Sequence, residues 1–328
     1  MKICIFGAGA GGGHVAVKLA AAGHDVSVVA RGAHLVAIQE HGLQLRGGAR
    51  SLEAKVVATH DPSELGPQDL VVVAVKATAL SDVASNVGCL LTPATPVIFP
   101  QNGMPWWYRH GLSHQYPAPP DIPIFSLSER FLKSMRLEQV VGGVIYSANE
   151  IDAPGVIKNN SPDHNCLEIG SISGPDSNNI ARIRAVLSDA GIESPVIHDI
   201  RKAVWMKLLA NMSASTIALV TRNQSSISRK DPALREIFIR LVDEGLAIAA
   251  AHGFTLDFDA EVMLSRLMDH KPSLLQDYER SRPMEVAEII LAPAAFARAR
   301  NVRCPTLDVF AAIAARMVTD RGADSAGQ

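Results

Sequence analysis

Three glycines near the amino terminus have the spacing of a phosphate-binding loop. Gly7, Gly9 and Gly12 follow the apolar run KICIF and precede a stretch typical of a helix. In a dinucleotide-binding loop the first glycine permits a tight turn, the second lets the backbone approach a pyrophosphate, and the third lets the helix pack on the strand. A glycine-rich turn that binds nothing is the alternative, but the second apolar run after the helix favours a nucleotide site. The predicted contact residues are Gly7, Ala8, Gly9, Ala10, Gly11 and Gly12.

The end of the second apolar run, DVSVVA, indicates which nucleotide would bind. An acidic residue there is typical of NAD sites, where it binds the ribose 2′-hydroxyl, and an arginine is typical of NADP sites, where it meets the 2′-phosphate. The residue here is Arg31, with no acid beside it. The sequence therefore favours NADP(H), and a solvated arginine at a strand end remains the alternative.

Two further polar residues follow predicted strands of the same sheet. Lys76 ends the apolar run DLVVVAV, and Asn102 follows TPVIF after Pro100 and Gln101. Ligands bind at the carboxyl ends of strands in open α/β sheets, so both are candidates for cofactor binding. A surface lysine is an equally open reading of Lys76, and for Asn102 the pattern by itself favours a turn-forming asparagine before glycine.

A proton donor for hydride chemistry is suggested further along the chain. Lys207, Asn211 and Ser215 are four residues apart and would share one face of a helix. Their neighbours are mostly apolar, so the lysine lies either on the solvent side or in a cleft. A positioned ammonium group could protonate a carbonyl oxygen that receives a hydride.

A second polar group lies in the loop at residues 272–285, PSLLQDYERSRPME. It includes Ser273 and, just before an apolar helix, Glu285. An acid at a helix start is also what the helix dipole favours, so Glu285 has a purely structural reading as well.

The elements that must position these residues divide the chain in two. Residues 1–198 alternate strands and helices, whereas residues 199–328 read almost entirely as helix. We therefore expect an α/β Rossmann-type NADP-binding domain over 1–198, an all-helical domain over 199–328, and an active site in the cleft between them. The irregular stretch 104–136 contains Trp106 and Trp107, which could form a substrate lid, a subunit contact or a packed cluster.

Composition narrows the classes of function. The formal net charge of −2 gives no reason to expect nucleic acid or an anionic membrane as a partner. The four cysteines lack paired spacing, so neither a metal site nor a disulfide framework is predicted. We expect no apolar run to reach membrane-spanning length, and the first residues already form the predicted loop, so a cytoplasmic location is expected.

Taken together, these pieces resemble the ketopantoate reductase (2-dehydropantoate 2-reductase) family over nearly the whole chain. The resemblance is carried by the GAGAGG loop with Arg31, VKA around Lys76, QNG around Asn102, WMKLLAN around Lys207, and SLLQD followed by Glu285. It implies NADPH-dependent reduction of a 2-keto acid, most directly ketopantoate, as in pantothenate biosynthesis. It also implies a carboxyl-terminal domain like that of 6-phosphogluconate dehydrogenase, and a homodimer is a further candidate.

The same resemblance assigns roles to individual residues. Lys207 would be the general acid, and Glu285 would join it in the catalytic group by binding a substrate hydroxyl or the cofactor ribose. The implied substrate-binding residues are Asn102, Asn211, Ser215 and Ser273.

Two departures from the family pattern leave the substrate open. Ser215 stands where the family commonly has a second asparagine, and the segment with Trp106 and Trp107 is unusually aromatic. A bulkier 2-keto or 2-hydroxy acid is therefore an alternative substrate. A non-catalytic NADP(H)-binding protein is an alternative of another class.

Overall fold

The computed structural model describes residues 1–48 and 51–326, and its strands form two sheets. The strands are β1 (Lys2–Phe6), β2 (Asp25–Val29), β3 (Leu43–Arg46), β4 (Leu52–Ala54), β5 (Val57–Thr59), β6 (Leu70–Val73), β7 (Val97–Phe99), β8 (Val140–Tyr146), β9 (Asn149–Ala153), β10 (Val156–Asn159) and β11 (Cys166–Ser171). The larger sheet has the order β11-β8-β7-β6-β1-β2-β5. All of its pairings are parallel except β11 with β8. This is the doubly wound arrangement that the alternating sequence pattern predicts.

The helices fall into two sets. The first set is α1 (Ala10–Ala21), α2 (Gly32–His41), α3 (Leu80–Asn86), α4 (Leu127–Phe131) and α5 (Asn178–Asp189). The second set is α6 (Ile200–Ala210), α7 (Thr216–Thr221), α8 (Ile227–Lys230), α9 (Pro232–Ala251), α10 (Ala260–Arg266), α11 (Ser273–Glu279), α12 (Ala292–Ala299) and α13 (Pro305–Ala326). Two π-helical turns, Asn211–Ser215 and Ala287–Leu291, join α6 to α7 and precede α12. The predicted change from mixed to helical structure near residue 199 is thus present.

The described chain forms two compact units that do not follow sequence order alone. Unit 1 comprises Met1–Gln101, Trp106–Gly111 and Ser126–Ile200, and unit 2 comprises Asn102–Pro105, Leu112–Phe125 and the chain from Arg201 onward. The two short segments of unit 2 lie on the amino-terminal side of the division expected after residue 198. Unit 2 is therefore built from three separate stretches of chain.

A smaller sheet, which the sequence pattern does not predict, packs on α1 within unit 1. It has the order β4-β3-β10-β9. Within residues 43–59, β3 and β4 pair in antiparallel fashion, whereas β5 joins the larger sheet. A Cβ atom at Gly13 of α1 would lie 2.8 Å from Ile157 of β10, so glycine allows this close approach. Because α1 is covered on several sides, most of its residues are buried.

The apolar residues around Val196 predict a last strand of the mixed half, but the structure has no strand there, and this prediction is wrong. Val196 is 76% exposed, and the nearest pairing is an isolated bridge between Cys166 and Glu193. Pro195 precedes it and lacks the N–H that a strand would need, so an apolar residue here does not extend the sheet.

The aromatic segment packs inside unit 1. Trp106 and Trp107 are both 0% exposed. The Trp106 ring stacks on Phe131 with 4.6 Å between centroids and meets Phe99 edge-on at 5.2 Å. Of the alternatives for these tryptophans, the packed cluster is confirmed, and the lid and the subunit contact are wrong because the rings are enclosed.

One helical run among the described residues is long and apolar enough to cross a membrane by length and composition. It covers Ile200–Thr221, which corrects the expectation that no run reaches that length. About 72% of its most apolar window is buried within the protein, as in the core helix of a folded domain.

His14, in the covered helix α1, should make the stability of the protein depend on pH. Burial, with a smaller contribution from Lys18, lowers the pKa of His14 from 6.5 to about 4. The unfolded chain binds a proton near pH 6.5 whereas the folded protein does not, so the free energy of unfolding falls as the pH drops from 6.5 towards 4. At pH 5 the loss should be about 2 kcal/mol relative to pH 7.5.

Chemical denaturation of wild type and His14→Leu at these two pH values measures this effect. Leucine has a similar volume and does not titrate, so the variant should lose about 2 kcal/mol less than wild type on acidification. Other buried histidines, such as His252, contribute equally to both proteins and cancel in the comparison. Parallel pH dependences in the two proteins would contradict the assignment to His14.

Candidate active site

The glycine loop of unit 1 has the backbone geometry that its three spaced glycines predict. Gly7 has φ +105°, and its N–H donates to the Val29 carbonyl at 3.0 Å. A Cβ at Gly12 would lie 2.0 Å from the Gly7 carbonyl oxygen, so only glycine allows α1 to start this close to the strand. A Cβ at Gly9, in contrast, would have no neighbour within 4 Å among the described residues. The backbone at Gly9 therefore faces open space that a ligand could enter.

This loop forms one wall of a cavity of about 210 Å³ within unit 1. Ala10, Gly11 and Gly12 form the first turn of α1, and the residue that caps it, Gly9, has no side chain to satisfy the first N–H groups. Such a helix start attracts anionic groups, phosphates above all. The cavity is lined by Phe6, Gly7, Ala8, Gly9, Val29, Ala30, Arg31, His34, Val75, Ala79 and Val83.

His34, which the sequence analysis missed, fixes the glycine loop from the first turn of α2. The Gly155 N–H donates to His34 Nδ1 at 3.0 Å. Nδ1 is therefore the acceptor, and Nε2 carries the proton and donates to the Ala8 carbonyl at 2.7 Å. His34 thus links the glycine loop to the β9–β10 turn. The sequence offered a signal for His34, because it lies three residues after Arg31, beyond the end of the same strand.

Arg31 lies at the cavity rim, where it forms an ion pair. Its two terminal nitrogens are each 3.4 Å from one oxygen of Asp82 on α3. The side chains are 67% and 59% exposed. Arg31 is thus accessible to a ligand, and its exposure is equally compatible with the alternative of a solvated arginine at a strand end. The sequence analysis did not single out Asp82.

The two candidates at other strand ends fall in different units. Lys76 is half-buried in unit 1, directly after Val75 of the cavity wall, and it precedes a short 3₁₀ turn. Asn102 begins the first short segment of unit 2. Neither is the fully exposed side chain that a surface lysine or a simple turn asparagine would show.

In unit 2 the structure brings together two of the predicted substrate-binding residues. Asn211 Nδ2 donates to Asn102 Oδ1 at 3.4 Å. The next residue, Gly103, has φ +76°, and a Cβ there would lie 2.7 Å from Glu288. The Met104 N–H also donates to the Glu288 carbonyl at 2.9 Å. The loop that carries Asn102 is therefore held closely against the π turn that contains Glu288.

Glu288 is a buried carboxyl group that sequence patterns did not reveal. It is 9% exposed, and burial raises its pKa. Its neutral form therefore persists to higher pH than that of a glutamate in water. The sequence places it within an apolar helix, where a single acid gives no indication of a role.

A π turn interrupts the helix that was expected to carry Lys207, Asn211 and Ser215 on one face. Lys207 lies in the last turn of α6, Asn211 begins the π turn, and Ser215 ends it. A π turn contains one residue more than an α turn, so Ser215 does not repeat the position of Asn211 as it would in a regular helix. Lys207 and Asn211 are half-buried, whereas Ser215 is 6% exposed. Lys207 is thus neither fully exposed nor fully buried, and its place in a cleft stays a prediction.

The second predicted polar group is divided between two elements. Ser273 is the first residue of α11 and is exposed. Glu285 is 4% exposed and directly precedes the last helical run before α12, where its carbonyl accepts the Ile289 N–H at 3.1 Å. A surface acid that only complements a helix dipole would be exposed. Burial is nevertheless compatible with the structural reading of Glu285, because a helix dipole also stabilises a carboxylate that is shielded from water.

Comparison with known proteins gives one consistent relationship. The family model for "Ketopantoate reductase PanE/ApbA" matches residues 3–174, and that for its carboxyl-terminal domain matches residues 199–317. A 2-dehydropantoate 2-reductase from Mesorhizobium japonicum is 36% identical over 98% of this chain and 99% of its own length.

Solved structures agree with this relationship. A ketopantoate-reductase-like protein from Ralstonia solanacearum MolK2 is 29% identical, with a TM-score of 0.88 over 98% of each chain. D-mandelate dehydrogenase, solved with NADH and anilino(oxo)acetate, has a TM-score of 0.82 over 98% of this chain and 99% of its own. At 20% identity, that likeness shows a shared fold. The family matches and the full-length relative together show that this chain belongs to the ketopantoate reductase family.

Proposed function

We propose that this protein catalyses the NADPH-dependent reduction of a 2-keto acid to a 2-hydroxy acid. The favoured reaction is 2-dehydropantoate (ketopantoate) to pantoate, as in pantothenate biosynthesis. The observation that carries the proposal is the 36% identity, over 98% of the chain, to a 2-dehydropantoate 2-reductase. A relative of this similarity over its full length supports a shared reaction.

The residues of unit 1 fit a nicotinamide dinucleotide phosphate. The open space at Gly9 admits a pyrophosphate, and the start of α1 offers backbone N–H groups to it. Arg31 at the cavity rim supplies the positive charge that a 2′-phosphate requires, and no acid follows β2 to bind a 2′-hydroxyl instead. We assign cofactor binding to Gly7, Ala8, Gly9, Ala10, Gly11, Gly12, Arg31 and Lys76 of this unit, and also to Asn102, which belongs to unit 2.

When bound, the reduced nicotinamide would supply a hydride to the carbonyl carbon of the keto acid. Lys207 Nζ would donate the proton that the carbonyl oxygen takes up, so that the product is a neutral hydroxyl group. An ammonium near that oxygen also stabilises its negative charge as the charge develops. Glu285 would act beside Lys207 by orienting a substrate hydroxyl or the cofactor ribose.

Four polar residues are proposed to bind the substrate. The hydrogen-bonded pair Asn102 and Asn211 can offer amide donors and acceptors to a keto acid. Ser273, exposed at the start of α11, would bind the carboxylate. Ser215, buried at the end of the π turn, would contribute only a short hydroxyl in place of a longer amide. The substrate-binding set is Asn102, Asn211, Ser215 and Ser273.

The proposal also covers binding partners, cellular location and domain boundaries. The partner is a small-molecule 2-keto acid, with a second copy of the chain as a further candidate and neither nucleic acid nor membrane. The location is the cytoplasm, and the functional division is residues 1–198 for the nucleotide and 199–328 for the substrate. Trp106 and Trp107 are buried core residues, so they do not support the alternative of an aromatic substrate.

A substrate panel tests this function. Oxidation of NADPH should be followed by its absorbance with ketopantoate and with longer, branched and aromatic 2-keto acids. We expect turnover with ketopantoate to exceed that with aromatic keto acids by at least about tenfold, because one missing or added group in a pocket changes discrimination by that order. Binding of NADPH without turnover of any keto acid would instead favour a non-catalytic binding protein.

A further inference from the structure

The ion pair between Arg31 and Asp82 lies where the proposed 2′-phosphate would bind. Arg31 follows β2 and lines the cavity, and Asp82 lies in the first turn of α3. Ala79 and Val83, on either side of Asp82 in sequence, line the same cavity. An acidic side chain therefore stands at the rim of a site whose proposed ligand is an anion.

The geometry of this pair makes it easy to break. Both guanidinium nitrogens are 3.4 Å from a single carboxylate oxygen, rather than each bonding its own oxygen at a shorter distance. Both side chains are more than half exposed, so water and salt weaken their attraction. The pair contributes little to folding stability for the same reasons, and Asp82 can be replaced without unfolding the protein.

A 2′-phosphate at Arg31 would meet Asp82 in two ways. The phosphate must take over the guanidinium donors that now face the carboxylate, and it must accept a like charge nearby. NADH carries a hydroxyl at this position and suffers neither effect. Asp82 therefore acts against the phosphorylated cofactor only.

We propose that Asp82 is a specificity-determining residue that competes with the cofactor 2′-phosphate for Arg31 and lowers the preference of the site for NADPH over NADH. The proposal rests on the function proposed above, because it requires a nicotinamide cofactor in the cavity of unit 1. Because Asp82 lies on α3, this helix would influence the preference between NADPH and NADH, in addition to the glycine loop and Arg31. It also predicts that the wild-type protein discriminates between the two cofactors less than its arginine alone would allow.

The test measures the Kd of NADPH and of NADH for wild type and Asp82→Asn by cofactor fluorescence. Asparagine keeps the size of the side chain and removes its charge. We expect the Kd of NADPH to fall about 3- to 10-fold and that of NADH to change by less than about twofold, in line with one charge interaction at an exposed site. The gain should shrink at high salt, since exposed charges are screened.

Two further variants separate competition from a general charge effect. Asp152→Asn is the matched control, because Asp152 is also an exposed acid of unit 1, paired with Arg46 at 3.5 Å, but it does not line the cavity. It should leave both Kd values unchanged. In an Arg31→Ala background, the gain in NADPH affinity from Asp82→Asn should be smaller than in wild type, because only the repulsion between Asp82 and the phosphate is relieved and no guanidinium remains to compete for.

Several results would overturn the inference. An NADPH Kd that stays the same or rises in Asp82→Asn, an equal gain for NADH, or an undiminished gain without Arg31 would each show that Asp82 does not compete for this arginine. Failure of the proposed function would look different: wild type would bind neither cofactor, and the inference would fail with it.

Discussion

Replacement of Lys207 with alanine should lower kcat/KM with the best keto acid by about 100- to 10,000-fold, the usual contribution of a positioned general acid. The Kd of NADPH should stay within about twofold of wild type, because the proposed cofactor contacts lie on the glycine loop and Arg31. The physical reason is that the developing alkoxide would lose both its proton source and the nearby positive charge. Steady-state kinetics and cofactor fluorescence measure the two quantities.

Lys202→Ala provides a control on the same helix. Lys202 is exposed on α6, whereas Lys207 is half-buried one turn and a half further along. Lys202→Ala should retain wild-type turnover, and Lys207→Gln should fail as Lys207→Ala does because an amide cannot supply the proton. Wild-type turnover in Lys207→Ala would remove Lys207 from the mechanism.

Replacement of Gly9 with alanine should weaken NADPH binding without loss of stability. Gly9 has φ −62°, which alanine also adopts, and a methyl group there would meet no atom of the described chain within 4 Å. The methyl would instead fill the space proposed for the pyrophosphate. Loss of one charge-assisted hydrogen bond, worth about 1.5 to 3 kcal/mol, corresponds to about a 10- to 100-fold higher Kd.

For Gly9→Ala, the informative result is an unchanged Tm together with a raised Kd of NADPH. Gly88→Ala is a suitable control, because Gly88 is exposed, lies outside the cavity wall, and its added Cβ would be 3.4 Å from Ser134. That variant should bind NADPH as wild type does. Normal NADPH binding by Gly9→Ala would show that no ligand occupies the space beside this loop.

The nucleotide-binding half could be predicted from sequence to a large extent, because its pattern is local. Glycine spacing, apolar runs and the strand-end position of Arg31 all act over a few residues and follow from backbone sterics and strand topology. The smaller sheet was missed because β3 pairs with β10, more than 100 residues away in the chain. No local period carries information about such a pairing.

The helical half was predictable in its elements but less so in its active-site details. The two π turns insert one extra residue each into apolar helices, where a 3.6-residue pattern continues on both sides and hides them. Pro293 lies at the start of α12, and the π turn directly before it interrupts the regular helix at this point. Glu288 and Asp82 were missed because their roles depend on neighbours from distant segments.

Unit 2 is completed by two stretches that come from the middle of the chain. The hydrogen bond from Met104 to Glu288 and the stacking of Tyr116 on Phe254, with 4.7 Å between ring centroids, both depend on them. A gene split at residue 198 would therefore leave the carboxyl-terminal fragment without the ring that covers Phe254. Chimaeras between relatives should exchange residues 102–105 and 112–125 together with the helices from residue 201 onward. Folding of that half must also wait for contacts between segments that are more than 100 residues apart in the chain, and such long-range contacts form slowly.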